Sequence, residues 1–351
     1  MRRVVALTGL LLAVGVIWFL WSLFQPFAGS GHGRVNVRIP QGASTSQIAS
    51  ILERDGVISS SFFFNLRVTL DGDRGKLRAG YYEMRRGMSY GSALALLTTE
   101  TGLPPTVNVT IIPGRARRQV QAQLASDGIS GDYVRATLRS PLLDPTHYGA
   151  PKSTPSLEGF LWPDTYSLRR PAKLSDLIDK QLTTFKQEFA KVNLRYAASK
   201  NLTAYDVLKI ASLISGEAML PRDVPKTASV IYNRLRLGMD LGLDSTVEYA
   251  TGNYGNLTEH DLQSSSPWNT RNHTGLPPTP INSPDLALIQ AAAHPAHTDY
   301  LYFVNEVCGN GALRFTASYD QFLRWSADWN NAVTRAARDG KSAQFCRNGR
   351  P

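Results

Sequence analysis

The sequence predicts an α+β fold: an N-terminal transmembrane helix, a β-α-α-β module, then a mixed α/β region with long cleft loops. Three observations carry that prediction. Residues 4–24, "VVALTGLLLAVGVIWFLWSLF", hold no charged side chain. The stretch "RVNVRIPQGASTSQIASILERDGVI" then passes from a two-residue to a helical hydrophobic period. From about residue 150, helical patterns alternate with long stretches rich in Pro, Gly, Asn and Thr. A chain of 351 residues, 42% hydrophobic and 19% charged, has material for two or three cored units.

At about 1.5 Å per residue, residues 4–24 make a helix roughly 31 Å long, the thickness of a bilayer core. Arg2 and Arg3 precede it, and Trp18, Trp21 and Phe24 cluster at its far end. The positive-inside rule then keeps residues 1–3 cytoplasmic and exports the rest, a single-pass protein of the cell membrane with the lipid bilayer as a partner. A cleaved signal peptide is the rival, since "FAGSGHG" offers small residues for cleavage. The formal charge of +10 and pI of about 9.6 suit an anionic partner, or serve solubility alone. Export removes nucleic acid and leaves the membrane surface and the cell wall. It also permits a disulfide: Cys308 and Cys346 either pair or stay free.

Residues 25–34 read as a stalk of small residues. In the module over 35–102, Val35, Val37 and Ile39 alternate as a strand, and Pro40 and Gly42 mark a turn. Ser44 with Gln47 makes a capping box for a short helix that stops at Asp55–Gly56. "SFFFNLRVTL" is a second helix, "LRAGYYEM" a strand and "SYGSALALLTT" another helix. The opening unit recurs: residues 35–56 match 107–128 at a constant offset of 72, with Val35, Asn36, Val37, Ile39, Gly42 and Gln47 repeated as Val107, Asn108, Val109, Ile111, Gly114 and Gln119. Strand–helix–helix–strand order resembles a LysM-type glycan-binding module; a platform without ligand is the equal alternative. The region over 103–336 carries a helix over 173–199, the helix of "IASLISGEAM", further helices at "VPKTASVIYNRLRLGM" and "PDLALIQAAAHP", two strands, and a final amphipathic helix; residues 337–351 read as a frayed tail. Its loops, poor in charge and rich in aromatic and amide groups, have the composition of a sugar-binding cleft.

Glu217 is the lone acid of the apolar run 210–219. Thr203 and Asp206 cap a helix beginning near 204, and Pro221 limits its end, so Glu217 falls in the last turn. Val207, Ile210, Ala211, Ile214 and Ala218 share one face, with Glu217 at its margin. Apolar flanks and the negative end of the helix dipole both disfavour the carboxylate. A proton held near neutrality is what a general acid needs. The bland alternative is a solvated Glu217, or one paired with Arg222.

Four stretches in order, "LEGFLWPDTY" (157–166), "ASLISGEA" (211–218), "ASVIYNRLRLGMDLGLDSTVEYATG" (228–252) and "SPWNTRNHTGLPPTPI" (266–281), followed by "AAAHPAHTDYLYFV", closely resemble the endolytic murein transglycosylases of the YceG-like type. The resemblance runs from about residue 35 to 330 and places the family's catalytic acid on Glu217. "SGEA" replaces a more charged version of this turn. Ser245 stands where the family usually has Pro, Trp268 where it often has Tyr, and Thr279 where it often has Gly.

What the resemblance implies is a lytic reaction. One acid protonates the glycosidic oxygen between N-acetylmuramic acid and N-acetylglucosamine, then accepts the proton of the muramyl C6 hydroxyl as that oxygen closes on C1. A hydrolase usually needs two carboxylates; here the intramolecular nucleophile replaces water. The resemblance also implies nascent peptidoglycan strands as substrate, inner-membrane peptidoglycan synthases as partners, an end to strand elongation as the outcome, and no cofactor.

Further cleft candidates follow. Glu158 tunes Glu217, binds sugar, or forms a salt bridge. Tyr166 and Trp268 stack on sugar rings or fill the core. Asn233, Asp244, Thr246, Asn269 and Thr270 hydrogen-bond N-acetyl and hydroxyl groups, or cap and turn the chain, the second role suiting Asp244 best. His294 and His297 form an H-x-x-H broken by Pro295, which spoils metal-pair geometry, so no metal is expected. The rival functions are a lysozyme-like muramidase using Glu217 with Glu158, and a wall-binding scaffold without activity.

Overall fold

The structure, a computed structural model, describes residues 2–25, 29–99, 106–255, 257–338 and 340–344. The chain divides into two units, Met1–Val107 with Arg169–Pro171, and Asn108–Leu168 with Ala172–Pro351.

The first unit contains α1 (Arg2–Phe24), β1 (His32–Ile39), α2 (Thr45–Arg54), α3 (Ser61–Leu70), β2 (Gly80–Arg86) and α4 (Tyr90–Thr99). β1 and β2 pair antiparallel, Val37 opposite Tyr82 and Val35 opposite Met84. The sheet's inner face and the helices close over Ile39, Leu52, Phe64, Val68, Met84 and Leu97. Ser44 and Gln47 form the capping box of α2.

The transmembrane helix expected over 4–24 is corrected: among the described residues no helix is long and apolar enough to cross a membrane. The far end of α1 is built into the first unit instead. Leu23 is buried, Trp18 and Phe19 meet Phe63 edge-on, and the Arg67 guanidinium lies 4.8 Å from the Phe24 ring. The fold is mixed α/β. Nothing beyond element order carries the LysM likeness. Residues 26–28 of the expected stalk, 100–105 at the expected boundary and 345–351 of the tail lie outside the described residues, as does Cys346; Cys308 is disulfide-bonded.

The second unit is mostly helical. It contains β3 (Thr106–Thr110), α5 (Arg117–Ser126), α6 (Tyr133–Ala136), β4 (Thr165–Arg169), α7 (Leu174–Phe189), α8 (Arg195–Ser199), α9 (Ala204–Glu217), α10 (Val224–Leu237), α11 (Asp244–Thr251), α12 (Glu259–Leu262), α13 (Leu286–Ala293), β5 (Tyr302–Asn305), β6 (Leu313–Thr316) and α14 (Tyr319–Arg338). β3 pairs with β4, and β5 with β6.

At the centre runs α9. Its start is fixed by Thr203 and Asp206, each side chain accepting from the other's backbone amide. Val207, Leu208, Ile210, Ala211, Leu213 and Ile214 are all buried, so the helix is covered on every side rather than along one face. α13 and α10 pack on it, and Phe160 stacks on Tyr205 near its start. A carboxylate in the last turn of such a helix is placed in desolvated ground by the fold itself.

The sequence repeat is also a structural repeat. β1–α2 and β3–α5 carry the same devices 72 residues apart. Gly42 and Gly114 have φ of 77° and 78°, in the left-handed region that glycine adopts without strain. Gln47 and Gln119 each accept from the amide of the N-cap residue, Ser44 or Ala116. Val57 and Ile129 each donate to the carbonyl of the matching Leu52 or Leu124.

Candidate active site

Glu217 is the last residue of α9. Its Oε1 accepts from the Ser245 hydroxyl at 2.7 Å and, more weakly, from the Ser245 amide at 3.4 Å. Among the described residues no Lys, Arg or His stands within ion-pair distance of it. The residue keeps some exposed surface, but its carboxyl group is enclosed by protein. That burial pushes its pKa from the ordinary 4.5 up to about 7. The Ser245 hydrogen bonds pull it back toward the carboxylate, and the negative charges of Asp244 and Glu248 push it up further.

The approach of α11 to the end of α9 depends on Gly216. A Cβ there would stand 2.5 Å from Ser245 Cβ and 2.9 Å from its Oγ. This glycine is needed for space, not for an unusual φ. Upstream, Gly159 combines both demands: its φ is 86°, and a Cβ would meet the Pro280 ring at 2.6 Å.

Glu158 is 2% exposed. Its carboxyl accepts from the Arg117 amide at 3.1 Å and from the Tyr249 hydroxyl at 3.2 Å. Burial raises its pKa to about 7, against the lowering pull of the Arg117 charge and amide. The Arg117 guanidinium is itself tied to Thr137 Oγ1 at 2.6 Å and to the Val134 carbonyl. Ser245 and Tyr249 are four apart on α11, hence one turn apart on one face. That face therefore holds both titratable carboxyls, Glu217 through Ser245 and Glu158 through Tyr249.

The remaining expected residues divide by what their polar groups already bind. Trp268 lies against Tyr249, centroids 6.0 Å apart, and donates its indole N–H to Thr279 Oγ1 at 2.9 Å. Two of the departures from the family pattern thus join in one hydrogen bond. Asp244, exposed at the start of α11, pairs with Arg271 at 2.6 Å. Thr246 and Thr270 share a buried bond of 2.9 Å. Asn269 is buried and donates to the Leu262 and Ser264 carbonyls. Thr246 and Thr270 tie the 262–272 loop to α11, and Asn269 ties that loop to itself. Tyr166 is in the core, its hydroxyl on the Trp162 carbonyl. Asn233 spends its amide on the Thr298 and Tyr300 carbonyls and faces a separate cavity.

Tyr249, Arg117 and the hydrogen-bonding role of Ser245 were not singled out from sequence. The available signal was the four-residue spacing of Ser245 and Tyr249 in "DSTVEY". His294 ends α13, and His297 lies edge-on to Tyr196. Among the described residues no three His, Cys, Asp or Glu side chains gather as a metal site.

An enclosed acid whose pKa burial raises to about 7, held by a hydroxyl at a helix end on a mixed α/β scaffold, has the features that a general acid–base site requires. The YceG-like family model matches residues 37–328, and the chain belongs to that family. The match passes through both units without setting a LysM module apart. The endolytic murein transglycosylase of Bacillus subtilis (strain 168) is 33% identical over 320 residues, covering 84% of each chain. That of Streptococcus pneumoniae (strain ATCC BAA-255 / R6) is 29% identical over 314 residues, covering 80% of this chain and 56% of the relative. A crystal structure of a yceG-like protein from Listeria monocytogenes superposes with a TM-score of 0.55 at 27% identity, covering 84% of this chain and 99% of that one.

Proposed function

We propose that this chain is a lytic transglycosylase that cuts peptidoglycan glycan strands internally, with Glu217 acting first as acid and then as base. The observation that carries the reading is the protonatable Glu217 carboxyl, pushed up to about 7 and held by Ser245. Glu217 gives its proton to the oxygen linking muramic acid C1 to the next N-acetylglucosamine. The C1–O bond breaks and the glucosamine leaves as an alcohol. The muramyl C6 oxygen bonds to C1, and its proton passes to the Glu217 carboxylate. Atoms balance without water, and the enzyme ends as it began. Enclosure of the carboxyl serves both halves, since a pKa near the working pH favours neither form strongly.

The two-carboxylate muramidase asks Glu158 to activate water. Glu158 is buried and bound by the Arg117 amide and Tyr249 hydroxyl, which supports a supporting role instead. The named relatives support murein as substrate. Resemblance supports work outside the cytoplasm beside peptidoglycan synthases, ending strand growth. The long segment 253–282 supports an open cleft and internal cuts. Digesting uncrosslinked strands and weighing the fragments tests the reading. The expected termini are 1,6-anhydromuramic acid; reducing-end muramic acid, heavier by one water, would overturn it in favour of the muramidase, and intact strands in favour of a scaffold.

A further inference from the structure

α10 has two occupied sides. Arg234 donates to the Leu241 and Leu301 carbonyls, on the side where it senses the Glu217 charge. Ser229, Tyr232, Asn233 and Arg236 share the opposite face by helical spacing. They line a cavity of about 1030 Å³, closed by the α8 turn and by residues 295–299. Ligand pockets of small molecules run to roughly that size. The cavity shares no residue with the cluster around Glu217 and Glu158.

Its free chemistry is charged and aromatic. The Asn233 amide is spent on backbone carbonyls, Tyr232 donates to the Ala292 carbonyl, and Asp206 is held by Thr203 and Lys209. Arg236 and Asp299 are exposed, and neither has an ion-pair partner among the described residues. The Lys200 ammonium rests 5.3 Å from the Tyr196 ring, itself flanked by His297 and Tyr232. The Asn201 amide also lines the cavity, but a neutral sugar would leave Lys200, Arg236 and Asp299 without counter-charges. Two cations and an anion lining one cavity beside an aromatic ring match a ligand that carries both signs.

We propose that this cavity binds a short zwitterionic peptide, its carboxylates on Lys200 and Arg236, its ammonium on Asp299, and its apolar side chains against Tyr196 and Tyr232. With peptidoglycan as substrate, the peptide borne by the strand is the ligand at hand; that identification rests on the proposed function. The site then anchors a peptide-bearing strand apart from the cut bond.

The test is calorimetric titration of the full chain with the tetrapeptide L-Ala-γ-D-Glu-L-Lys-D-Ala, and separately with peptide-free N-acetylglucosaminyl–N-acetylmuramic acid. The tetrapeptide is expected to bind. Arg236→Ala and Asp299→Ala should each weaken it by about tenfold or more, the loss of one charged contact, while Glu217→Gln leaves it unchanged. The disaccharide should not displace it. Absent peptide binding, affinity unmoved in both cavity variants, or displacement by the disaccharide each overturns the proposal. Cleavage of uncrosslinked, peptide-bearing strands, measured on the same preparation, separates the two readings: anhydro ends without tetrapeptide binding reject the cavity alone, and their absence rejects the catalytic assignment.

Discussion

The Ser245 hydroxyl lies 2.7 Å from Glu217 Oε1, in a gap that exists because residue 216 has no side chain. The bond favours the charged form of the acid, so it opposes the burial that keeps the proton on. Ser245→Ala is expected to raise the Glu217 pKa further. A hydrogen bond to a charged group contributes about 1.5–3 kcal/mol, roughly one to two pH units. The alkaline limb of the pH profile of kcat/KM for strand cleavage should move upward by up to that amount. An unmoved limb would separate Ser245 from the reacting carboxyl.

Asp244→Asn acts with the opposite sign. Removing a negative charge that disfavours the carboxylate should lower the Glu217 pKa and bring the alkaline limb to lower pH. Asp244 is exposed and paired with Arg271, so the shift should be less than about one unit and should shrink as salt rises. The same kinetic profile, taken at two ionic strengths, checks both the sign and the screening.

Gly216→Ala forces Ser245 and the start of α11 away from α9. Overpacking of this kind costs about 1–3 kcal/mol of stability. The catalytic loss should exceed what folding explains: at least about tenfold in kcat/KM at a temperature where circular dichroism shows the variant folded, from a misplaced carboxyl. Wild-type turnover in a folded variant would show that the close approach of α11 has no bearing on the acid.

Glu158 supplies a stability test. Its folded pKa of about 7 exceeds the ordinary 4.5, so between those values the native state binds more protons than the unfolded chain. Stability therefore falls as pH rises from about 4.5 to 7, by up to about 3 kcal/mol for one group. Glu217 adds a decline of the same sign. Glu158→Gln should flatten the loss of thermal midpoint between pH 5 and 8 without abolishing it. A slope identical to wild type would mean that Glu158 stays ionised in the fold.

The end of α9 was legible in the sequence because local rules fixed it: a Thr203–Asp206 cap, an apolar run, and Pro221 shortly beyond. The burial of α9 on every side was not, since that depends on α13 and α10 arriving from far along the chain. The polar residues of the 266–281 stretch show the same limit. Thr246, Asn269 and Thr270 have the chemistry of sugar ligands, but whether such a group meets a sugar or its own backbone is decided by the fold. The 4–24 run misled for a related reason. Hydropathy registers composition, and is blind to Phe63 and Arg67 receiving the end of the helix.

The 72-residue repeat puts one backbone device to two uses. In the first copy, the amide at the start of the helix belongs to Thr45, a half-buried position. In the second, the equivalent amide is that of Arg117, and it is aimed at the enclosed carboxyl of Glu158. The second copy thus contributes one amide to the hold on the Glu158 carboxyl, beside the Tyr249 hydroxyl and the Arg117 charge. The copy at 35–56 keeps the same turn and capping glutamine with no carboxylate on the Thr45 amide among the described residues. Set beside 107–128, it separates what the fragment needs in order to fold from what it contributes to the chemistry.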